Sequence, residues 1–141
     1  MPGNLVIETM MQNDPFSQWL GLQLDDYGTG WCKLHFTIRP DMLNGFGIVH
    51  GGVVFSAADS AFAFACNSHG RLSVALDVQI SFIRAAKAGD KLFVDAREVH
   101  LGNKTSFYDI TVNNELNEVV ATFKSTAYRT SKNYLDEVKK L

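Results

Sequence analysis

One apolar segment, residues 53–66, constrains the fold of this chain more than any other feature. It is unbroken, rich in Ala and free of Lys and Arg, which predicts a buried helix. A helix that is apolar nearly all round must be covered nearly all round, because exposed apolar surface is unfavourable in water. Between Gly51 and Ser68 the only carboxylate is Asp59. A buried carboxylate is costly unless it is partnered, so Asp59 is either a structural acid at a helix interface or a functional group.

The segments around this helix alternate apolar and polar residues, which is typical of β-strands. The clearest alternation runs over 31–39, a weaker strand is predicted over 22–27, and four strands that form a meander are predicted over 74–82, 91–101, 105–113 and 118–129. One or two short helices before residue 20 and a short helix or tail from 134 complete the chain. Residues 1–141 therefore predict a single α+β domain, with a core over about 20–129 and an antiparallel sheet wrapped around one helix.

Composition and charge exclude several classes of function. A net charge of −2 makes a nucleic-acid partner unexpected. Two cysteines and four scattered histidines indicate neither a disulfide framework nor a metal site. The apolar segment is too short to cross a bilayer, and the first basic residue, Lys33, comes too late for the start of a signal peptide. We therefore expect a cytoplasmic protein with no membrane partner.

The start of the predicted helix has a chemistry of its own. Its first backbone N–H groups have no intrahelical acceptor and carry partial positive charge, and Gly51 and Gly52 lack the Cβ that would keep a ligand away. This arrangement suits the polarisation of a carbonyl oxygen. Asp59 lies about 12 Å further along the helix, at 1.5 Å per residue, which is too far for one carbonyl to meet both groups. If the two groups cooperate, they come from different subunits, which predicts a homo-oligomer with shared sites.

The run 44–52, Asn-Gly-Phe-Gly-Ile-Val-His-Gly-Gly, followed by Asp59 in an Ala- and Phe-rich helix, resembles the hotdog-fold acyl-CoA thioesterases. The similarity is greatest to the PaaI-like (phenylacetic acid degradation) branch. Segments 67–70, 82–84, 88–90 and 102–105 also fit that branch, and the similarity covers roughly 20–129. The resemblance implies a five- or six-stranded sheet around one central helix, dimers that pair into tetramers, and hydrolysis of acyl-CoA thioesters.

The resemblance also implies roles for individual residues. Asp59 matches the catalytic carboxylate, which acts as a general base or as a nucleophile. Gly51 matches the backbone donor to the thioester oxygen, and His50 matches the residue that supports this end of the site. Asn44 matches an amide that orients water or the acyl carbonyl. Residues expected to bind substrate or CoA are Arg84, Lys104, Thr105, Gly52, Phe46 and Ser60.

This sequence departs from some relatives at the strand after the helix. Some relatives carry a water-binding Ser or Thr there, whereas the aligned residue of this chain is Ala75. That helper is therefore missing, or it is replaced by Ser60 or Ser73.

The sequence favours a thioesterase that acts on small acyl-CoA esters, such as aryl-acetyl or hydroxyaryl-acetyl esters. CoA is part of the substrate, and no other cofactor is expected. Phe46, Phe55 and Phe82 are expected to line the acyl pocket. A hotdog dehydratase or hydratase is an alternative, although the spacing of His50 and Asp59 does not match its pattern. A non-catalytic acyl-CoA-binding module is another, and Asp59 argues against it because a buried acid helps to bind neither an acyl chain nor phosphates.

Overall fold

One antiparallel sheet curves around one long helix in the computed structural model, which describes the backbone of residues 2–141 and the side chains from residue 5. The helices are α1 (Pro2–Gln12), α2 (Pro15–Leu20), α3 (Gly51–Asn67) and α4 (Tyr134–Val138). The strands are β1 (Gln23–Gly28), β2 (Trp31–Thr37), β3 (Arg71–Phe82), β4 (Lys91–Leu101), β5 (Thr105–Asn113) and β6 (Val119–Asn133). The predicted α+β layout, a six-stranded antiparallel sheet around a central helix, is confirmed.

The helix α3 begins two residues earlier than the predicted segment, and His50 caps it. Nine of its residues are buried, because it contacts β2 to β6 on one side and α1 and α2 on another. The chain leaves the helix at Gly70, whose φ of +98° lies in the left-handed region that glycine adopts without strain. No helix within residues 2–141 combines the length and the apolar character needed to cross a membrane.

The strand β3 does not follow the predicted meander, and that expectation is wrong. The sheet order is β1-β2-β4-β5-β6-β3, so β3 pairs with β6 at the far edge and a longer connection leads back to β4. Alternation of apolar and polar side chains predicts that a segment is a strand, but it does not predict which strands pair with it. The prediction that β3 lies beside β4 was wrong for this reason. Three apolar side chains of β3 are half exposed or more, namely Val74 (50%), Leu76 (62%) and Phe82 (56%). One subunit therefore leaves an apolar sheet edge uncovered.

The buried side chain of Asn67 joins the end of α3 to the start of β3. Its Nδ2 donates to the carbonyl oxygens of Ala63 (2.9 Å) and Ser73 (3.0 Å), and its Oδ1 accepts the Ser73 N–H (2.8 Å). These bonds satisfy backbone groups that the turn at 68–70 would otherwise leave unpaired inside the protein.

We expect Asn67→Ala to lower the free energy of unfolding by about 2–4 kcal/mol, because it leaves buried backbone groups of Ser73 without partners. Urea unfolding measures the change. Asn133→Ala is the matched control, since it removes an exposed amide that caps the short helix α4, and it should cost about 1 kcal/mol or less. Equal costs for the two variants would contradict the role given to Asn67.

Candidate active site

A cleft of about 290 Å³ opens at the N-terminal end of α3. It brings together three of the predicted site residues, Asn44, Gly51 and Arg84. The remaining residues that line it are apolar: Ile48, Val49, Val54, Phe82, Ile83, Ala85 and Val120. Two of these residues, Ile83 and Val120, were not among the predicted site residues. Ile83 lies inside the recognised segment 82–84, whereas Val120 reaches the cleft only through the sheet pairing, which no local pattern reveals.

The backbone N–H of Gly51 is a free donor at this cleft. The neighbouring N–H of Gly52 donates to the His50 imidazole, and that of Val53 donates to the His50 carbonyl. Within the described chain the Gly51 N–H has no acceptor. A Cβ on residue 51 would lie 3.1 Å from Cζ of Phe82, so glycine also allows that ring to form the cleft wall. An unpaired N–H at the positive end of a helix suits a carbonyl oxygen that gains negative charge.

His50 affects the Gly51 N–H indirectly, because its side chain sets the conformation of the first turn of α3. Its Nδ1 accepts the Gly52 N–H at 2.9 Å, so a neutral ring carries its proton on Nε2. A Cβ on residue 52 would lie 3.0 Å from Nδ1, which shows that Gly52 makes room for the ring. Gly52 itself does not line the cleft. The ring therefore fixes the first turn while the Gly51 N–H stays free.

Asn44 shapes the loop in front of the helix. Its Oδ1 accepts the N–H groups of Phe46 (2.9 Å) and Ile48 (3.4 Å), which is the turn role that an Asn-Gly sequence favours. Its Nδ2 makes no hydrogen bond to any described residue and remains available in the cleft. Phe46 stands at the loop tip, 90% exposed and outside the cleft. Of the other predicted pocket phenylalanines, Phe82 lines the cleft, whereas Phe55 packs on Phe123 with ring centroids 5.4 Å apart.

Asp59 lies on a half-buried stripe of α3 and does not line the cleft of its own subunit. The two serines beside it on that stripe have hydrogen-bond partners. Ser56 Oγ donates to the Gly52 carbonyl at 2.7 Å, and Ser60 Oγ lies 2.8 Å from Ser17 Oγ. The Asp59 carboxylate makes no hydrogen bond or ion pair with the residues described. Burial raises the pKa of this carboxyl above its ordinary value. Asp59 is thus a half-buried acid that has no hydrogen-bond or ion-pair partner among the described residues.

The residues predicted to bind CoA lie at two separate places. Arg84, at the cleft, pairs loosely with Glu118 at 3.6 Å. Lys104 and Thr105 form the β4–β5 turn, which Arg129 holds by donating to the carbonyls of Lys104 and Gly102. Their roles in binding stay predictions. Within residues 5–141 no three His, Cys, Asp or Glu side chains gather in a geometry suited to a metal ion.

The sequence predicts that Ala75 stands where some relatives carry a water-binding hydroxyl, and that this hydroxyl is either missing or replaced by Ser60 or Ser73. Ala75 lies exposed on β3, and the Ser73 hydroxyl donates to the Arg71 carbonyl at 3.1 Å. Of the two serines expected to replace the helper, Ser60 is the one that lies beside Asp59 on α3.

Comparison with known proteins places this geometry in a family. The thioesterase superfamily profile matches residues 46–121, which include the helix start and Asp59. The acyl-coenzyme A thioesterase PaaI of Escherichia coli K12 is 39% identical over 120 residues, which are 85% of this chain and 86% of the relative. The chain belongs to the thioesterase superfamily.

Solved structures agree with this assignment. The E. coli PaaI protein from the phenylacetic acid degradation operon superposes with a TM-score of 0.92 at 36% identity, over 94% of this chain and 96% of its own. A Streptococcus mutans UA159 protein bound to acetyl CoA superposes with a TM-score of 0.77 at 30% identity, over 79% and 90%. The predicted hotdog fold, the PaaI-like resemblance and the expectation of a thioesterase-family enzyme are confirmed.

The raised pKa of Asp59 has a consequence for stability. A carboxyl whose pKa is higher in the folded than in the unfolded state favours folding below its unfolded pKa, and this contribution is lost as the pH rises through the folded pKa. We therefore expect Asp59→Asn to raise the free energy of unfolding of the isolated subunit at about pH 8 and to lose this advantage towards about pH 4. Urea unfolding across that range measures it. Asp109→Asn, at an exposed position of β5, is the control, and an equal pH-dependent gain there would contradict the account.

Proposed function

We propose that this chain hydrolyses small acyl-CoA thioesters to the free acid and CoA, with aryl-acetyl and hydroxyaryl-acetyl groups as the preferred acyl parts. The observation that carries the proposal is the unpaired N–H of Gly51, which lies at the positive end of α3 inside an apolar cleft. The thioester oxygen accepts this N–H, and the negative charge that develops on the oxygen is stabilised there. CoA belongs to the substrate, and the reaction as proposed needs no other cofactor and no nucleic acid.

The lining of the cleft supports the substrate class. Ile48, Val54, Phe82 and Val120 offer an apolar wall, and an aromatic acyl group gains from offset or edge contacts with the Phe82 ring. Arg84 stands at the same cleft, where a guanidinium can bind a phosphate of CoA. The PaaI relative comes from a phenylacetic acid degradation operon. The proposal therefore includes a cytoplasmic role in the breakdown of phenylacetate or similar aryl acids.

The second catalytic group reaches the cleft from another subunit in this proposal. The open edge of β3 presents unpaired backbone groups and the exposed side chains of Val74, Leu76 and Phe82, and a second copy carries the matching edge. Antiparallel pairing of two β3 edges lays the two α3 helices antiparallel beneath one continuous sheet. Asp59 of one subunit then faces the Gly51 cleft of the other. Two such dimers form the proposed tetramer.

The chemistry follows from these two groups. The carboxylate of Asp59 takes a proton from a water molecule whose oxygen attacks the thioester carbon, or it attacks that carbon itself and water releases the acid afterwards. The Gly51 N–H holds the tetrahedral oxyanion, the C–S bond breaks, and the CoA thiolate accepts the proton. Asp59 works only when it is ionised, and the positive end of the facing α3 favours the ionised form.

We expect the native protein to release free thiol from acyl-CoA esters and Asp59→Asn to lose this release by about 10³-fold or more, because the amide can act neither as a general base nor as a nucleophile. A thiol-reactive dye follows the reaction over a panel of acetyl, medium-chain, phenylacetyl and hydroxyphenylacetyl esters. Circular dichroism confirms that the variant is folded. Hydration of a double bond without thiol release would favour the dehydratase alternative, and tight binding without turnover would favour the binding module.

The donor role of Gly51 is tested by removing only its N–H. His50 has φ −66° and ψ 134°, an extended conformation compatible with a following proline, and proline is well tolerated at the first position of a helix. Gly51→Pro should therefore keep the helix and lower kcat by about 10²-fold. Gly51→Ala adds the same contact with Phe82 but keeps the N–H, so it is the matched control. An equal loss of kcat in both variants would show that crowding against Phe82, and not the loss of the N–H, causes the effect.

The same variants test whether the site is shared. A hybrid of one Asp59→Asn subunit and one Gly51→Pro subunit, purified by two different affinity tags, contains one site with both groups intact and one site with neither. Recovery of about half the native kcat per dimer is expected if the two groups meet across subunits. A hybrid no more active than its parents would show that each subunit works alone.

A further inference from the structure

Arg84 is the only charged residue among the described residues that line the cleft. Within residues 5–141 its guanidinium donates no hydrogen bond, and its one ionic contact is with the Glu118 carboxylate, at 3.6 Å. The exposed fractions of the two side chains are 46% for Arg84 and 40% for Glu118. An ion pair this long and this exposed is weak. Another anion that enters the cleft can therefore displace the carboxylate from the guanidinium.

The turn between β5 and β6 holds the Glu118 carboxylate in place. Its Oε1 accepts a hydrogen bond from Nδ2 of Asn114 at 2.9 Å. The Asn114 Oδ1 in turn accepts the N–H groups of Glu118 (2.9 Å) and Leu116 (3.0 Å). A backbone bond from the Asn114 N–H to the Glu118 carbonyl, at 3.0 Å, closes the turn. The oxygen that faces Arg84, Oε2, therefore belongs to a group whose position is fixed.

The backbone that carries Arg84 is fixed to the strand that follows this turn. The N–H groups of Ile83 (2.8 Å) and Arg84 (3.1 Å) both donate to the Val120 carbonyl. The main chain at Arg84 and the turn that carries Glu118 are thus joined, and the flexible part of the ion pair is the long Arg84 side chain. This side chain can rotate from Glu118 towards a ligand in the cleft without any movement of the main chain.

We propose that Glu118 competes with the phosphates of CoA for Arg84 and so sets the affinity of the cleft for both acyl-CoA and free CoA. The inference rests on the CoA binding that is part of the function proposed above. A phosphate accepts two parallel hydrogen bonds from a guanidinium, whereas Glu118 at 3.6 Å accepts none. The phosphate therefore displaces Glu118, and Glu118 regains Arg84 when CoA leaves. Substrate and product carry the same phosphates, so the competition weakens the binding of both equally.

Glu118→Gln tests the competition with little change of structure. The glutamine oxygen still accepts the Asn114 amide, so the turn is retained, while the charge that attracts Arg84 is removed. We expect the variant to bind CoA about three- to fivefold more tightly, which corresponds to about 0.7–1 kcal/mol, a range that exposed ion pairs reach. Isothermal titration calorimetry of the purified protein with free CoA measures the Kd without requiring turnover.

Three controls separate competition from other effects of charge. Glu115→Gln makes the same change of net charge on the same turn, but Glu115 accepts the Lys91 N–H and lines a different cavity, so the Kd should change by less than about twofold. Pantetheine, which lacks the phosphates of CoA, should bind equally to the native protein and to Glu118→Gln. In an Arg84→Gln background, Glu118→Gln should not tighten CoA binding, because no guanidinium remains to be released.

Kinetics give a second, independent measurement. With an acyl-CoA substrate, Glu118→Gln should lower KM by the same three- to fivefold while kcat stays within about twofold, because the contact with Arg84 is equal in the ground state and the transition state. Urea unfolding verifies that each variant is folded.

The outcomes separate this inference from the function on which it rests. Unchanged or weaker CoA binding by Glu118→Gln would overturn the inference. A gain that persists in the Arg84→Gln background, or that pantetheine shows as well, would also overturn it, since Glu118 would then act without Arg84 or without the phosphates. Tighter CoA binding together with no thiol release by the native protein would overturn the proposed hydrolysis and support the competition. Absence of both CoA binding and thiol release in the native protein would overturn both proposals.

Discussion

Burial of α3 is the constraint on which the rest of the structure depends. A helix with large or small apolar side chains on most of its circumference is stable only inside a protein, and each buried Phe or Val contributes about 1.5–3 kcal/mol. A single sheet face cannot cover a cylinder, so the sheet curves and the N-terminal helices close another side. The stripe of α3 that carries Ser56, Asp59 and Ser60 remains only half-buried. The candidate catalytic acid therefore lies on the part of the helix that the fold covers least.

The rigidity of the same helix is the reason that the proposed mechanism needs two subunits. The free N–H belongs to the first residue of α3, and the carboxylate lies about 12 Å further along at 1.5 Å per residue. No side-chain rotation closes such a gap. The strand β3, which leaves α3 through the turn at Gly70, runs along the uncovered edge of the sheet and ends at Phe82, in the cleft wall. The edge that would accept a second copy thus passes directly beside the incomplete site.

The sequence predicted most of this fold because its signals are local. The Ala-rich segment, the alternating strands and the glycine at the end of α3 each follow from the properties of neighbouring residues. The position of β3 was not predictable in this way, because alternation defines two faces and says nothing about which strand lies alongside. Gly51 and Asn44 were found by motif and lie in one cleft, whereas Val120 enters it from a distant strand. The bond between Ser17 and Ser60 joins residues 43 positions apart, and no pattern in the chain indicates it.

The environment of Asp59 joins stability to function. Burial raises the pKa of this acid and so shifts it towards the protonated form, which is the inactive form of a general base. In the proposed dimer a facing α3 terminus would supply partial positive charge and a bound water would supply hydrogen bonds, and both would favour the ionised form. Assembly of the site and activation of its acid are then one event, because the groups that ionise Asp59 are the groups that complete the site around the thioester.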